Sequence, residues 1–116
     1  MQSPLFEDIS VEDYKARFKD GGEAHFLLDV RRIDEFEEVR IPGAVNIPLD
    51  QLRERIDEVE DAAGDNPIVV VCRTGNRSMM GAQILRYSGI AETPIFNLET
   101  GTMGWAKQQF PLESGE

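Results

Sequence analysis

The chain has 116 residues, a formal net charge of −10 and a single cysteine. This length suits one domain with its own core, the lone cysteine excludes an internal disulfide, and the charge disfavours binding to nucleic acid. Residues 1–66 hold 18 acidic and 8 basic side chains, so the acid is concentrated in the first half. A solvated acidic surface is the first interpretation, and a docking face for a basic partner is the alternative.

The first half of the chain predicts helices that alternate with strands. A capping pattern at Ser10–Asp13 opens a helix that a glycine pair ends at 21–22. A strand follows at His25–Val30, with Asp29 as the odd polar residue near its carboxyl end. The next elements are a charged helix at 32–39, a brief strand at 45–47 and an amphipathic helix from Leu49. Three apolar residues of the charged helix are predicted to face inward: Ile33, Phe36 and Val39.

The second half opens with Ile68–Val71, whose run of β-branched residues is typical of a strand buried on both faces. A helix is predicted from Ser78 to Gly89, with the pair Met79-Met80 in the core. A strand at 93–98 and a helix at 103–110 follow, and residues 111–116 are predicted to be a frayed tail. The alternation predicts an α/β fold with a mostly parallel sheet and helices on both faces, in one domain over 1–116 with its core at about 9–110.

Cys72 lies where the Ile68–Val71 strand ends and a helix is about to begin. Ligands of open α/β sheets bind at this edge. The backbone N–H groups of residues 73–78 can curl into a nest for an anion, in which Gly75 supplies backbone freedom and two arginines add charge. Such surroundings lower a cysteine pKa from about 8.5 to about 3.5–7.5, which predicts a reactive thiolate. A small buried core residue is the alternative interpretation.

The segment Cys72–Ser78 resembles the active-site loop of rhodanese-type sulfurtransferases. Two flanking segments resemble that family's other signatures in the same order: Leu27–Arg31 with Glu35-Phe36 and Ile41–Pro48, and Phe96–Gly101 with Trp105. Together these segments cover nearly the whole chain. The resemblance implies a single rhodanese-like domain with a five-stranded α/β sheet.

Two residues depart from the family pattern. Arg40 stands before Ile-Pro-Gly-Ala, where the family usually has histidine, and Thr100 stands where the family usually has the first of two glycines. We expect Arg40 to alter the rim of the site and Thr100 to alter the turn after the last strand. Neither residue belongs to the cysteine loop.

The resemblance implies sulfur transfer through a covalent intermediate. The catalytic Cys72 would take sulfur from a small anionic donor, thiosulfate or a persulfide, and pass it to a thiol, cyanide or a sulfur-carrier protein. Arg77 is predicted to fold back over the sulfur, whereas Arg73 is predicted to point outward and meet the donor. The substrate-binding loop comprises Arg73, Thr74, Gly75, Asn76, Arg77 and Ser78.

Two other functions stay open at this point. A cysteine phosphatase would use a similar loop, but four residues separate Cys72 from Arg77, one fewer than in tyrosine and dual-specificity phosphatases. Val71 also stands where those enzymes place a histidine. A non-catalytic persulfide carrier or regulatory module is the other alternative, and an intact cysteine does not exclude it.

Asp29 and its neighbours have more than one interpretation. Asp29 is predicted at the same sheet edge as Cys72, where it either orients Arg77 or the loop, or caps a nearby turn. Arg31 and Glu35 have the spacing of a local ion pair. All of these roles are supportive rather than catalytic.

No cofactor and no metal site are expected, because one cysteine and one histidine without close spacing do not form a zinc site. His25 lies at the opposite end of its strand and is assigned no role, and Trp105 is predicted to be a core residue. The amino terminus lacks a secretory signal and no segment has transmembrane length. A cytoplasmic protein without membrane or nucleic-acid partners is therefore expected.

Overall fold

A computed structural model describes residues 5–90 and 92–115. Within these residues, a five-stranded sheet has the strand order β1-β5-β4-β2-β3, and every pairing is parallel. The strands are β1 (Glu7–Ile9), β2 (Phe26–Asp29), β3 (Val45–Asn46), β4 (Ile68–Val71) and β5 (Ile95–Leu98). The α/β fold class is confirmed, and the sheet is parallel throughout.

The helices lie around this sheet and begin close to the predicted positions. They are α1 (Val11–Tyr14), α2 (Ile33–Glu38), α3 (Leu49–Leu52), α4 (Ile56–Ala63), α5 (Asn76–Tyr87) and α6 (Gly101–Lys107). Helix α1 continues as a π-helical segment at Lys15–Asp20, and a 3₁₀ turn at Arg53–Arg55 joins α3 to α4. None of the helices in the described ranges has the length and apolar character to span a membrane.

Strand β1 is the element that the residue pattern alone does not predict. It has three residues and pairs with β5, with Asp8 beside Asn97 and Ile9 beside Leu98. Its first two residues are acidic and exposed, so the strand lacks the apolar run that marks the others. An edge strand tolerates such charges because one side of it faces solvent.

The core has two layers because successive strand residues face opposite sides of the sheet. Ile68 and Val70 of β4 pack with helices α3, α4 and α5, whereas Val69 and Val71 pack with α1 and α6. Cys72 continues this alternation and lies on the α5 side. The placement of helices on both faces of the sheet is confirmed. Because Cys72 lies on the α5 side, its side chain faces the start of α5.

Three residues predicted to face the core are instead exposed: Ile33, Met79 and Met80. The buried residues of α5 include Ser78, Ala82 and Leu85, which form a stripe at helical spacing. The two methionines fall outside this stripe, so their assignment to the core is wrong. Trp105, in contrast, is buried as predicted.

The carboxyl-terminal segment is tied to the domain, although the sequence predicts a frayed tail. Arg40 and Glu113 exchange two backbone hydrogen bonds of 2.8 and 2.9 Å. The indole nitrogen of Trp105 donates to the Pro111 carbonyl at 2.6 Å, and the Arg40 guanidinium donates to the Gly115 carbonyl at 2.6 Å. Arg40 therefore anchors this segment. Local sequence patterns do not reveal these contacts, because the residues that make them are far apart in sequence.

Candidate active site

Cys72 follows the last residue of β4, and its side chain is almost completely enclosed, with 1% of the residue exposed. The Gly75 N–H donates to Sγ at 3.1 Å. The Ser78 Oγ lies 3.3 Å from the same sulfur. The loop between β4 and α5 thus wraps around one atom, the cysteine sulfur.

The pKa of the Cys72 thiol lies below its ordinary value, although two effects oppose each other. Burial raises this pKa, whereas hydrogen bonds from the Ser78 hydroxyl and from the N–H groups of Ser78, Gly75 and Thr74 lower it. These donors favour the thiolate because a hydrogen bond strengthens when its acceptor is charged. The combined donors outweigh burial, so ionisation occurs at a lower pH than in a free cysteine.

The start of α6 holds the outer side of the loop. The Thr102 N–H and hydroxyl donate to the Cys72 carbonyl at 2.9 and 3.2 Å, and the Met103 N–H donates to the Arg73 carbonyl at 3.0 Å. The C=O and N–H of a trans peptide unit point in opposite directions. Because α6 binds these two carbonyls, the N–H groups of the same peptide units, including that of Thr74, point the other way, toward the Cys72 sulfur.

Two glycines allow the loop and α6 to approach this closely. A Cβ atom on Gly75 would lie 2.0 Å from the Glu99 carbonyl oxygen, and Gly75 has a φ of +109°. A Cβ atom on Gly101, whose φ is +62°, would lie 2.4 Å from the Cys72 carbonyl oxygen. Thr100 has a φ of −103°, which any residue adopts. The departure at Thr100 is thus compatible with the turn, because the glycine that the turn requires is Gly101.

Arg77 forms an ion pair with Glu35, and its positive charge also interacts with Cys72. Its two terminal nitrogens donate to the Glu35 carboxylate at 2.7 and 2.9 Å. The hydrogen bonds from Arg77 lower the pKa of Glu35 from 4.5 to about 2, with a further contribution from the Arg32 N–H and against the effect of burial. The predicted pair between Arg31 and Glu35 is therefore wrong, since Glu35 binds an arginine from another helix.

Asp29 is fully buried at the end of β2 and binds Arg31. The Arg31 N–H donates to Oδ1 at 3.0 Å, and Nη2 of the guanidinium donates to Oδ2 at 2.8 Å. The same Nη2 donates to the Val39 carbonyl at 2.7 Å. The turn-capping interpretation of Asp29 fits these contacts. Its charge also acts on Arg77, where it is one of the smaller causes that raise the pKa of the guanidinium, so a role in orienting Arg77 or the loop stays a prediction.

The remaining loop side chains face outward. Arg73, Thr74 and Asn76 are exposed, and Nε of Arg73 lies 3.3 Å from the Met103 sulfur. A cleft of about 220 Å³ opens beside Arg73 and Met103 and extends to residues of α2. This outward position of Arg73 is the one that the sequence predicts.

Asn97 belongs to this cluster but is not among the residues that the sequence singles out. It lies in β5 and is 2% exposed. Its Oδ1 accepts a hydrogen bond from the Ser78 hydroxyl at 2.5 Å, and its Nδ2 donates to Asp8 at 3.0 Å. A polar residue inside an otherwise apolar strand is the same signal that identifies Asp29, so the sequence indicates Asn97 as a candidate but does not indicate its partners.

Similar proteins share this fold and this arrangement of segments. The family model described as the rhodanese-like domain matches residues 10–108. The putative sulfur carrier protein YrkF of Bacillus subtilis (strain 168) is 34% identical over 98 residues, which are 84% of this chain and 50% of YrkF. The adenylyltransferase and sulfurtransferase MOCS3 of Drosophila virilis is 37% identical over 114 residues, covering 91% of this chain and 24% of MOCS3.

Among solved structures, a thiosulfate sulfurtransferase from Pseudomonas aeruginosa superimposes with a TM-score of 0.82 and 31% identity, covering 96% of this chain and 21% of that chain. The chain thus spans half the length of one of these relatives and about a quarter of the others. Because the family model covers most of the chain and the superposition extends over nearly all of it, the chain belongs to the rhodanese-like domain family.

Proposed function

We propose that the chain is a rhodanese-type sulfurtransferase in which Cys72 is the catalytic nucleophile. Family membership supports sulfur transfer as the general activity. The observation that carries the specific proposal is the sulfur of Cys72 at the centre of a loop of hydrogen-bond donors, with a thiol pKa below its ordinary value. Such a thiol loses its proton more readily than a free cysteine does, and the groups around it stabilise negative charge.

In the first half-reaction, the Cys72 thiolate attacks the outer sulfur of an anionic donor. With thiosulfate, a new S–S bond forms, the original S–S bond breaks, and its electron pair leaves with sulfite. The enzyme is left as a Cys72 persulfide anion. The charge therefore remains beside the loop, where the N–H groups of Thr74 and Gly75 stabilise it.

In the second half-reaction, the nucleophile is an acceptor, namely cyanide, a thiolate or a thiol-bearing sulfur-carrier protein. It attacks the outer persulfide sulfur, and the electron pair of the S–S bond returns to Cys72 as thiolate. Relatives that carry the names sulfur carrier protein and sulfurtransferase support a protein as the acceptor in this step.

The burial of Cys72 suits a persulfide intermediate. An S–S bond is about 2.0 Å long, so the sulfur to be transferred extends beyond the enclosed Sγ. The exposed Arg73 beside the cleft supplies positive charge for an anionic donor. The net charge of −10 repels anions from the chain as a whole, which makes this local charge necessary for their approach.

Intact-mass measurement tests the nucleophile directly. After incubation with thiosulfate, we expect the protein to gain the mass of one sulfur atom and to lose it on addition of cyanide. The matched control is Cys72→Ser, which should gain no mass and should keep the unfolding temperature close to that of the unaltered protein. If the Cys72→Ser variant retains substantial thiosulfate:cyanide activity, Cys72 is not the nucleophile.

A further inference from the structure

Four side chains from four segments form a chain of contacts that ends at the Cys72 sulfur. Asp8 Oδ1 lies 3.0 Å from Asn97 Nδ2, Asn97 Oδ1 lies 2.5 Å from Ser78 Oγ, and Ser78 Oγ lies 3.3 Å from Sγ. Asp8 and Asn97 are register partners on neighbouring strands, so their side chains share one face of the sheet. That face is the one covered by α5, where Ser78 is fully buried.

Hydrogen-bond chemistry determines which atom donates and which accepts in each of these contacts. A carboxylate only accepts, so the amide nitrogen of Asn97 faces Asp8 and the amide oxygen faces Ser78. That oxygen is itself only an acceptor. The single hydroxyl proton of Ser78 therefore lies in the bond to Asn97, and the lone pairs of Ser78 Oγ are left for the thiol S–H of Cys72.

This arrangement creates a competition when Cys72 loses its proton. The thiolate has no hydrogen to donate and needs one from Ser78 instead. Ser78 has only one hydroxyl proton, so it can bind the sulfur only by leaving Asn97. Ionisation of the sulfur thus requires the Ser78 hydroxyl to turn from one acceptor to the other.

We propose that Asn97 is a positioning residue that acts on Cys72 through Ser78, holding the Ser78 hydroxyl proton while Cys72 is a thiol and releasing it to the sulfur anion. The proposal rests on the proposed role of Cys72 as the nucleophile, since it describes how that nucleophile is held in its resting form. Asp8 contributes by fixing the orientation of the Asn97 amide.

Charged groups around Cys72 must stay constant in any test of this idea. They come from every element that packs near the loop: Asp8, Asp29, Arg31, Glu35, Arg73, Arg77 and Glu99. The substitution Asn97→Leu replaces one neutral side chain by another of similar shape and leaves all of these charges in place. A changed pKa of Cys72 in that variant therefore reports hydrogen bonding rather than altered net charge.

Titration of Cys72 by the ultraviolet absorbance of its thiolate is the experiment. The chain has one cysteine, so the signal, after subtraction of a Cys72→Ser blank, belongs to Cys72. Asn97→Leu should lower the pKa by about one unit, because Ser78 can then donate to the sulfur without losing another acceptor. Ser78→Ala should raise the pKa, and adding Asn97→Leu to Ser78→Ala should cause no further change.

The double variant separates positioning from packing. If Asn97→Leu shifts the pKa equally with and without Ser78, or shifts it upward or not at all, the proposal is overturned. Should Asn97→Leu fail to fold, Asn97→Ala, which also removes the amide and keeps every charge in place, is used in the same titrations. A Cys72 pKa that does not fall in Asn97→Ala would overturn the proposal as well. None of these titrations requires sulfur transfer, so they are independent of the mass measurement that tests the function.

Discussion

Arg77 and Glu35 connect α5 to α2 through two parallel hydrogen bonds of 2.7 and 2.9 Å. The Arg77 side chain is 35% exposed and that of Glu35 is 15% exposed, so the pair lies at the border between the domain and solvent. The two-point contact fixes the guanidinium plane. Arg77 thus acts on Cys72 as a positive charge held at a set position, and Glu35 determines that position.

Glu35→Gln should lower the unfolding free energy, and the size of this loss should depend on pH. The pKa of Glu35 is lowered from 4.5 to about 2 in the folded chain, so its ion pair stabilises the fold fully above about pH 4.5 and ceases to do so as the pH falls toward 2. We expect a loss of about 1 kcal/mol near neutral pH, because solvent screens the exposed side of the pair. Chemical denaturation at several pH values measures it.

The control for this prediction is Glu38→Gln, which removes a charge from an exposed position of the same helix. The difference in unfolding free energy between the unaltered chain and Glu35→Gln should shrink steadily below pH 4.5, the ordinary value for this carboxyl group. A difference that stays constant down to pH 2, or one equal to that of Glu38→Gln, would show that the Arg77 pair does not stabilise the fold.

Arg77→Ala should lower kcat for sulfur transfer. The variant removes a fixed positive charge near the sulfur, and loss of one such electrostatic partner costs about 10²–10³-fold in kcat. Glu35→Gln, which keeps the Arg77 charge but loosens its position, should have a smaller effect. Steady-state kinetics with thiosulfate and cyanide compares them. Equal losses in the two variants would mean that position matters more than charge.

Arg73→Ala should instead raise KM for thiosulfate with little change in kcat. Arg73 is exposed beside the cleft, so it meets an anionic donor on approach rather than in the transition state. The increase in KM should diminish at high ionic strength, where salt already screens this attraction. A collapse of kcat in Arg73→Ala, with kcat intact in Arg77→Ala, would show that the two roles are reversed.

Gly75→Ala should destabilise the fold more than Gly22→Ala does. Both glycines have positive φ angles, +109° and +70°, so each alanine meets the same kind of backbone cost, about 1–2 kcal/mol. Only at Gly75 would the new methyl group also collide with the Glu99 carbonyl, while nothing lies within 4 Å at Gly22. Forced overpacking adds about 1–3 kcal/mol. Equal melting temperatures for the two variants would contradict this explanation of Gly75.

Asp29→Ala should be among the more destabilising single changes at this edge of the sheet. It leaves the buried Arg31 guanidinium without its carboxylate partner, and breaking one side of a buried ion pair costs about 3–5 kcal/mol. The matched control is Asp34→Ala, which breaks the exposed pair with Arg32 and should cost far less, because solvent screens that pair. Denaturant unfolding of both variants provides the comparison, and similar losses would contradict a structural role for the buried pair.

The sequence predicts the framework of the site because that framework depends on local patterns. Ile68–Val71 is recognisable as a buried strand from its β-branched residues, and the position of Cys72 after it follows directly. Gly75 and the start of α5 likewise depend on backbone preferences of adjacent residues. Strand β1 escapes such patterns because its first two residues are charged, and its pairing with β5 is a contact across most of the chain.

The tertiary structure alone decides which polar side chains are partners. Arg77 and Glu35 lie 42 residues apart in sequence, and Asp8 and Asn97 lie 89 apart. The spacing of four residues suggests Arg31 as the partner of Glu35. The fold instead brings Arg77, at the start of α5, to Glu35, and Arg31 pairs with Asp29. Local periodicity determines which face of an element is buried, whereas the relative placement of strands and helices determines what each buried polar atom meets.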